Sequence, residues 1–125
     1  MRMFRRDFIA AGALALLGTA PALAQQSRKA AARAPVILVV GDSLSAEYGL
    51  PRGSGWVALL EKRLAQEKIG ATVVNASVSG DTTAGGRARL PALLRQHGPT
   101  HVVIELGAND ALRGLPLPNT RDNLA

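Results

Sequence analysis

Apolar positions follow two alternating rhythms along the chain. Pro35-Val36-Ile37-Leu38-Val39-Val40 is an unbroken, largely β-branched run that ends at Gly41. With no polar alternation, it predicts a strand buried on both faces of a parallel sheet. After the polar segment 42–55, Trp56, Val57, Leu59, Leu60 and Leu64 recur at helical spacing. Glu61, Lys62, Arg63 and Glu67 take the other side, and Gly70 is expected to close the helix. Thr72-Val73-Val74-Asn75-Ala76 predicts a second, shorter strand, and Ser77 to Gly86 a polar loop. Leu90, Leu93 and Leu94 mark a second helix, which Pro91 starts or kinks and Gly98-Pro99 stops. His101-Val102-Val103-Ile104-Glu105-Leu106 predicts a third strand ending at Gly107. Its Val102–Leu106 stretch reads as buried on both faces, as in a central strand; in a 2-1-3-4-5 strand order it becomes an exposed apolar edge if strands four and five are missing.

Strands alternating with helices imply parallel β-α-β units with right-handed crossovers. The expected fold is α/β: a three-layer α/β/α sandwich with a flavodoxin-like parallel sheet. In such sheets ligands bind beyond the carboxyl ends of the strands. All three predicted strand ends lead into polar loops: Gly41-Asp42-Ser43, Ser77-Val78-Ser79-Gly80-Asp81 and Gly107-Ala108-Asn109-Asp110. These loops are expected to converge on one edge.

The length of 125 residues suits one domain, and 47% apolar against 19% charged residues suits a globular one. Without cysteine, disulfide and thiol chemistry are excluded. The formal charge of +6 raises the question of nucleic acid. Much of that charge belongs to the N-terminus, where residues 1–24 read as a secretory signal. Arg2, Arg5 and Arg6 precede an apolar stretch from Phe8 to Leu17, and Ala22-Leu23-Ala24 forms a small-x-small cleavage site. Arg5-Arg6-Asp7-Phe8-Ile9 resembles a twin-arginine leader, with ordinary Sec export as the alternative. Removing 1–24 takes away Arg2, Arg5, Arg6 and Asp7 and leaves 12 basic and 8 acidic residues. Residues 25–34 read as an Ala-rich basic tether. Outside the leader, Tyr48 and Trp56 are the aromatic residues, too few for a base-stacking platform. The expected compartment is therefore the periplasm or the exterior, with no nucleic-acid partner and no stable membrane insertion.

The three loops carry a recognisable set of parts. Ser43 offers a hydroxyl just past a buried strand. Gly80 offers a backbone N–H that a substrate can approach closely, and Asn109 offers an amide donor. A hydroxyl nucleophile with donors aimed at a developing oxyanion is the equipment of acyl transfer. The text of these loops resembles a known family. Gly41-Asp42-Ser43-Leu44-Ser45, Asn75-Ala76-Ser77-Val78-Ser79-Gly80-Asp81-Thr82 and Gly107-Ala108-Asn109-Asp110 resemble three successive blocks of the GDSL, or SGNH, hydrolases. The flanking residues resemble the periplasmic thioesterase I/lysophospholipase/arylesterase subfamily over roughly 35–122. The resemblance implies Ser43 as nucleophile, with an oxyanion hole of Ser43 N–H, Gly80 N–H and the Asn109 side chain. It implies that Asp42 and Asp110 brace the loops, that Ala111–Pro116 lies beside the acyl group, and that no metal or organic cofactor is needed. Ala108 occupies a position often held by glycine in that subfamily.

Such a serine needs a general base. The family takes it from an Asp-x-x-His block that this chain does not contain. His97 is expected at a helix end and His101 at a strand entrance, both on the opposite edge from Ser43. The strand between puts them on the order of 15–20 Å away, where proton transfer needs about 3 Å. The sequence is accordingly expected to be the N-terminal part of a longer enzyme, truncated after about the third strand, and inactive alone. The polar segment Asn119–Asn123 is expected to begin a helix without completing it. The expected substrates are small acyl esters and thioesters, lysophospholipids included, acted on by a monomer. The alternatives are a carbohydrate acetyl esterase of the same superfamily and a non-catalytic binding module. No phosphate-cradling glycine loop supports the latter.

Overall fold

A computed structural model describes residues 34–125. The leader at 1–24 and the tether at 25–34 lie outside them, apart from Ala34. In order, the elements are β1 (Val36–Gly41), α1 (Trp56–Gln66), β2 (Thr72–Asn75), α2 (Thr83–His97), β3 (His101–Glu105), α3 (Ala108–Leu112) and α4 (Leu117–Leu124). The strands form a parallel sheet in the order β2-β1-β3, as the alternating pattern predicts. The chain steps one way from β1 to β2 and back over β1 to β3. Right-handed crossovers then place α1 and α2 on opposite faces.

The register fixes which residues share a face. Leu38 stands beside Val74 and Val102, and Val40 beside Ile104. By the two-residue period these side chains share one face, while Gly41, Asn75 and Glu105 belong to the other. α2 covers the first face, where Gly86 lies against Val40 and Leu106. Leu38, Val39 and Val40 are fully buried, because β1 alone is paired on both sides.

Several boundaries differ from the pattern. α2 begins at Thr83, inside the segment expected to be a loop, because the Thr82 side chain accepts the Gly85 N–H and caps the first turn. Pro91 therefore lies within the helix, on its exposed side. α1 closes at Glu67 rather than Gly70. Lys68 takes the left-handed conformation (φ 57°) as Ile69 N–H folds back to Leu64 O. On α1, Val57 is buried, whereas Leu59 stays 53% exposed. β3 is not buried on both faces: Val102, Val103 and Ile104 are 40%, 37% and 45% exposed. Among the described residues it pairs with β1 alone, at the edge of the sheet. The segment Asn119–Asn123, expected to begin a helix, lies within α4, which starts earlier, at Leu117. Thr120 and Asn123 of α4 bond Asp110 and Thr83.

Candidate active site

Residues after β1 make a tight turn. Asp42 O accepts from the N–H groups of Ser45 (3.2 Å) and Ala46 (2.9 Å), and Asp42 Oδ1 accepts from Leu44 N–H (3.0 Å). The half-buried Ser43 sits at the start of this turn. Neither its N–H nor its hydroxyl has a hydrogen-bond partner among the described residues. Ser45 is buried and fixed from three directions. Its hydroxyl donates to Glu105 Oε2 (2.9 Å), it accepts from Trp56 Nε1–H (3.0 Å), and its carbonyl accepts from Asn75 Nδ2 (2.7 Å). The fit depends on Gly41, where a Cβ would lie 2.6 Å from Ser45 Oγ. Further along, Glu47 spans the loop, accepting from Gly53 N–H (3.0 Å) and Gly55 N–H (2.9 Å).

The segment after β2 is held by α2. Arg89 donates to Ala76 O (2.8 Å) and, through Nε and Nη2, to Asp81 Oδ2 (3.1 and 2.6 Å). Between those anchors Gly80 adopts φ 82°, a left-handed conformation that favours glycine, and its N–H has no acceptor among the described residues. Its carbonyl accepts from Arg113 Nη2 (2.6 Å).

Asn109 lies in the first turn of α3, so the third segment is helical rather than a loop. Its Nδ2 donates to Asp42 Oδ2 (3.1 Å) and to Asp81 O (2.9 Å), linking all three strand-end segments. Next to it, Asp110 is buried and accepts from Thr83 N–H (2.9 Å), Thr83 Oγ1 (2.5 Å) and Thr120 Oγ1 (3.2 Å). Burial alone would raise the Asp110 pKa, but these donors outweigh it and hold it below the ordinary carboxylate value. Glu47 is likewise lowered, first by the Gly53 and Gly55 N–H groups.

The structure thus gathers Ser43, Gly80 and Asn109 into one bonded region at the carboxyl edge of the sheet. His97 closes α2 and His101 opens β3, at the opposite edge. Among the described residues there is no cluster of three or more His, Cys, Asp or Glu suited to a metal ion, and no helix long and apolar enough to cross a membrane. Sequence reasoning missed Ser45, Trp56, Asn75, Arg89 and Glu105. A usable signal was present: Asn75 and Glu105 are polar residues ending apolar strands, on the same face as Gly41.

The profile of the GDSL-like lipase/acylhydrolase family matches residues 39–125. The chain is 54% identical over 120 residues to "Esterase TesA" of Pseudomonas aeruginosa, covering 96% of this chain and 55% of that protein. It is 51% identical over 94 residues to "Thioesterase 1/protease 1/lysophospholipase L1" of Escherichia coli, covering 75% and 44%. Among solved structures, "Crystal Structure of TesA" superposes with a TM-score of 0.70 at 61% identity, over 71% of this chain and 49% of that one. The chain spans about half the length of the curated relatives it matches. It belongs to the GDSL-like lipase/acylhydrolase family.

Proposed function

We propose that this member of the family supplies the nucleophile and oxyanion hole of an exported serine hydrolase acting on carboxylic esters and thioesters, lysophospholipids among them. In this reading Ser43 Oγ attacks the acyl carbonyl carbon. The carbonyl oxygen becomes an oxyanion, the alcohol or thiol leaves, and an acyl-enzyme remains for water to hydrolyse. Ser43 N–H, Gly80 N–H and Asn109 Nδ2 receive the oxyanion. The observation that carries the reading is that Ser43 and Gly80 keep unengaged N–H groups within a region otherwise closely hydrogen-bonded. Donors already in place need no rearrangement when charge develops, which is where most of their benefit lies. Asn109 is oriented by two acceptors, Asp42 Oδ2 and Asp81 O, and an oxyanion shares one of its N–H groups with them.

The chain's two histidines, His97 and His101, both stand at the far edge of the sheet. The proton acceptor for Ser43 therefore lies outside residues 34–125 in this reading, and those residues alone turn over slowly. The names of the relatives support ester and thioester substrates, and the basic-apolar-small order of residues 1–24 supports export. The test is hydrolysis of p-nitrophenyl esters by the product of the complete gene. Replacement of Ser43 by Ala is expected to abolish both turnover and labelling by a fluorophosphonate probe. Retained turnover in that variant would remove Ser43 from the mechanism.

A further inference from the structure

We propose that Glu105 is a positioning residue for Ser43, acting through Ser45, with Trp56 completing the arrangement; this rests on the reading of Ser43 as nucleophile. The Ser45 hydroxyl has one hydrogen and faces one group that only accepts, the Glu105 carboxylate, and one that only donates, the Trp56 indole N–H. Its orientation is therefore fully determined. Ser45 itself is buried over Gly41, where no Cβ intervenes, and its carbonyl is held by Asn75. One residue, Leu44, separates Ser43 from this anchor, inside a turn closed on Asp42 O. A shift of Ser45 is carried directly to the Ser43 hydroxyl.

Glu105 ends β3, the edge strand whose outer side has no partner among the described residues. The Ser45 hydroxyl is the sole hydrogen-bond partner of its carboxylate among those residues. The contact joins this least covered strand to the turn and, through Trp56, to the first residue of α1. Three elements thus meet at one hydroxyl beside the candidate nucleophile. Trp56 is the chain's single tryptophan, so its emission reports on the arrangement directly.

The experiment uses the product of the complete gene, with p-nitrophenyl butyrate as substrate. Ser43→Ala serves as the control for the underlying reading. Glu105→Ala is expected to lower kcat about 10- to 100-fold, the scale of a misplaced reacting group, with KM within about twofold. Glu105→Gln, which keeps an acceptor oxygen, is expected to recover most of that loss. The emission component lost on Trp56→Phe is expected to shift in Glu105→Ala and in Ser45→Ala. Wild-type kcat together with wild-type Trp56 emission in Glu105→Ala would overturn the proposal. So would a loss of turnover that only follows a loss of thermal stability, with Gln no better than Ala. Turnover surviving Ser43→Ala would instead sink the reading of Ser43. The Trp56 emission still decides whether Glu105 orders the turn.

Discussion

Replacing Asp110 by Ala removes a buried carboxylate that three donors share. Thr83 presents both its N–H and its hydroxyl, and Thr120 its hydroxyl. A hydrogen bond to a charged group contributes about 1.5–3 kcal/mol. Thr120 is half-buried and can turn to water, but Thr83 is buried at the first turn of α2. Its stranded donors set the expected loss at about 3–5 kcal/mol, a large part of a domain's stability. With a urea slope of about 1 kcal/mol/M, the midpoint falls by roughly 3 M or more. Asp110→Asn has nearly the same shape and separates charge from cavity. Because the folded pKa is held below its ordinary value, the carboxylate stabilises the fold above the unfolded pKa of about 3.9. That contribution is lost as pH falls through the lower folded value. The gap between wild-type and Asp110→Asn midpoints should be full at pH 7 and narrow below about pH 4. A shift in Asp110→Ala under about 0.5 M at pH 7 would refute the hydrogen-bond argument. A gap that does not narrow in acid would refute the charge argument.

Substitutions at three further positions probe the supports of the site. A Cβ on Gly86 would meet only the far end of the Leu106 side chain, which can turn aside, and Ala gains about 1 kcal/mol of helix propensity over Gly, so Gly86→Ala should leave the urea midpoint within about 1 M of wild type. Thr82→Ala removes the cap on Gly85 N–H and should cost about 1 kcal/mol in thermal unfolding, a size that separates a cap from a core contact. Arg89→Ala frees both ends of the segment that presents Gly80, and kcat for p-nitrophenyl esters should fall about tenfold. Arg89→Lys should not restore it, since one ammonium cannot reach both Ala76 O and Asp81 as the guanidinium does.

Where the sequence pattern read the fold correctly, one physical effect dominated. The β-branched run at 36–40 was legible because burial on both faces demands it, and Gly98 marked the end of α2 because a left-handed residue was required there (φ 52°). The pattern failed where local polar chemistry decided. The start of α2 rests on Thr82 capping and on Thr83 bonding Asp110, neither of which appears in hydrophobic spacing. In α4 leucines stand only at the two ends, Leu117 and Leu124, and both are exposed. Its Thr120 and Asn123 reach Asp110 and Thr83, partners 10 and 40 residues away in sequence. At β3 the apolar run identified a strand, and the expected strand order made it an exposed edge, as its half-exposed valines and isoleucine show.

The site was legible as three separate loops, while its rigidity was not, because that arises from bonds between them. Asn109 binds both Asp42 and Asp81, so a residue chosen as a donor is also the joint of the assembly. Buried polar groups in folded proteins are nearly always paired. Here the buried Ser77 hydroxyl has no partner among the described residues, and it lies close to Gly41 at the base of the Ser43 turn. The free N–H groups of Ser43 and Gly80 are in the adjoining segments. Ser43 and Gly80 are partly exposed, so their N–H groups face solvent at this edge, where a ligand oxygen can take the place of water without breaking a bond within the protein. Glycine at 80 follows the same logic. Its left-handed backbone aims the carbonyl at Arg113 and leaves the N–H without an acceptor, and a side chain there would be strained even though the surrounding space is open.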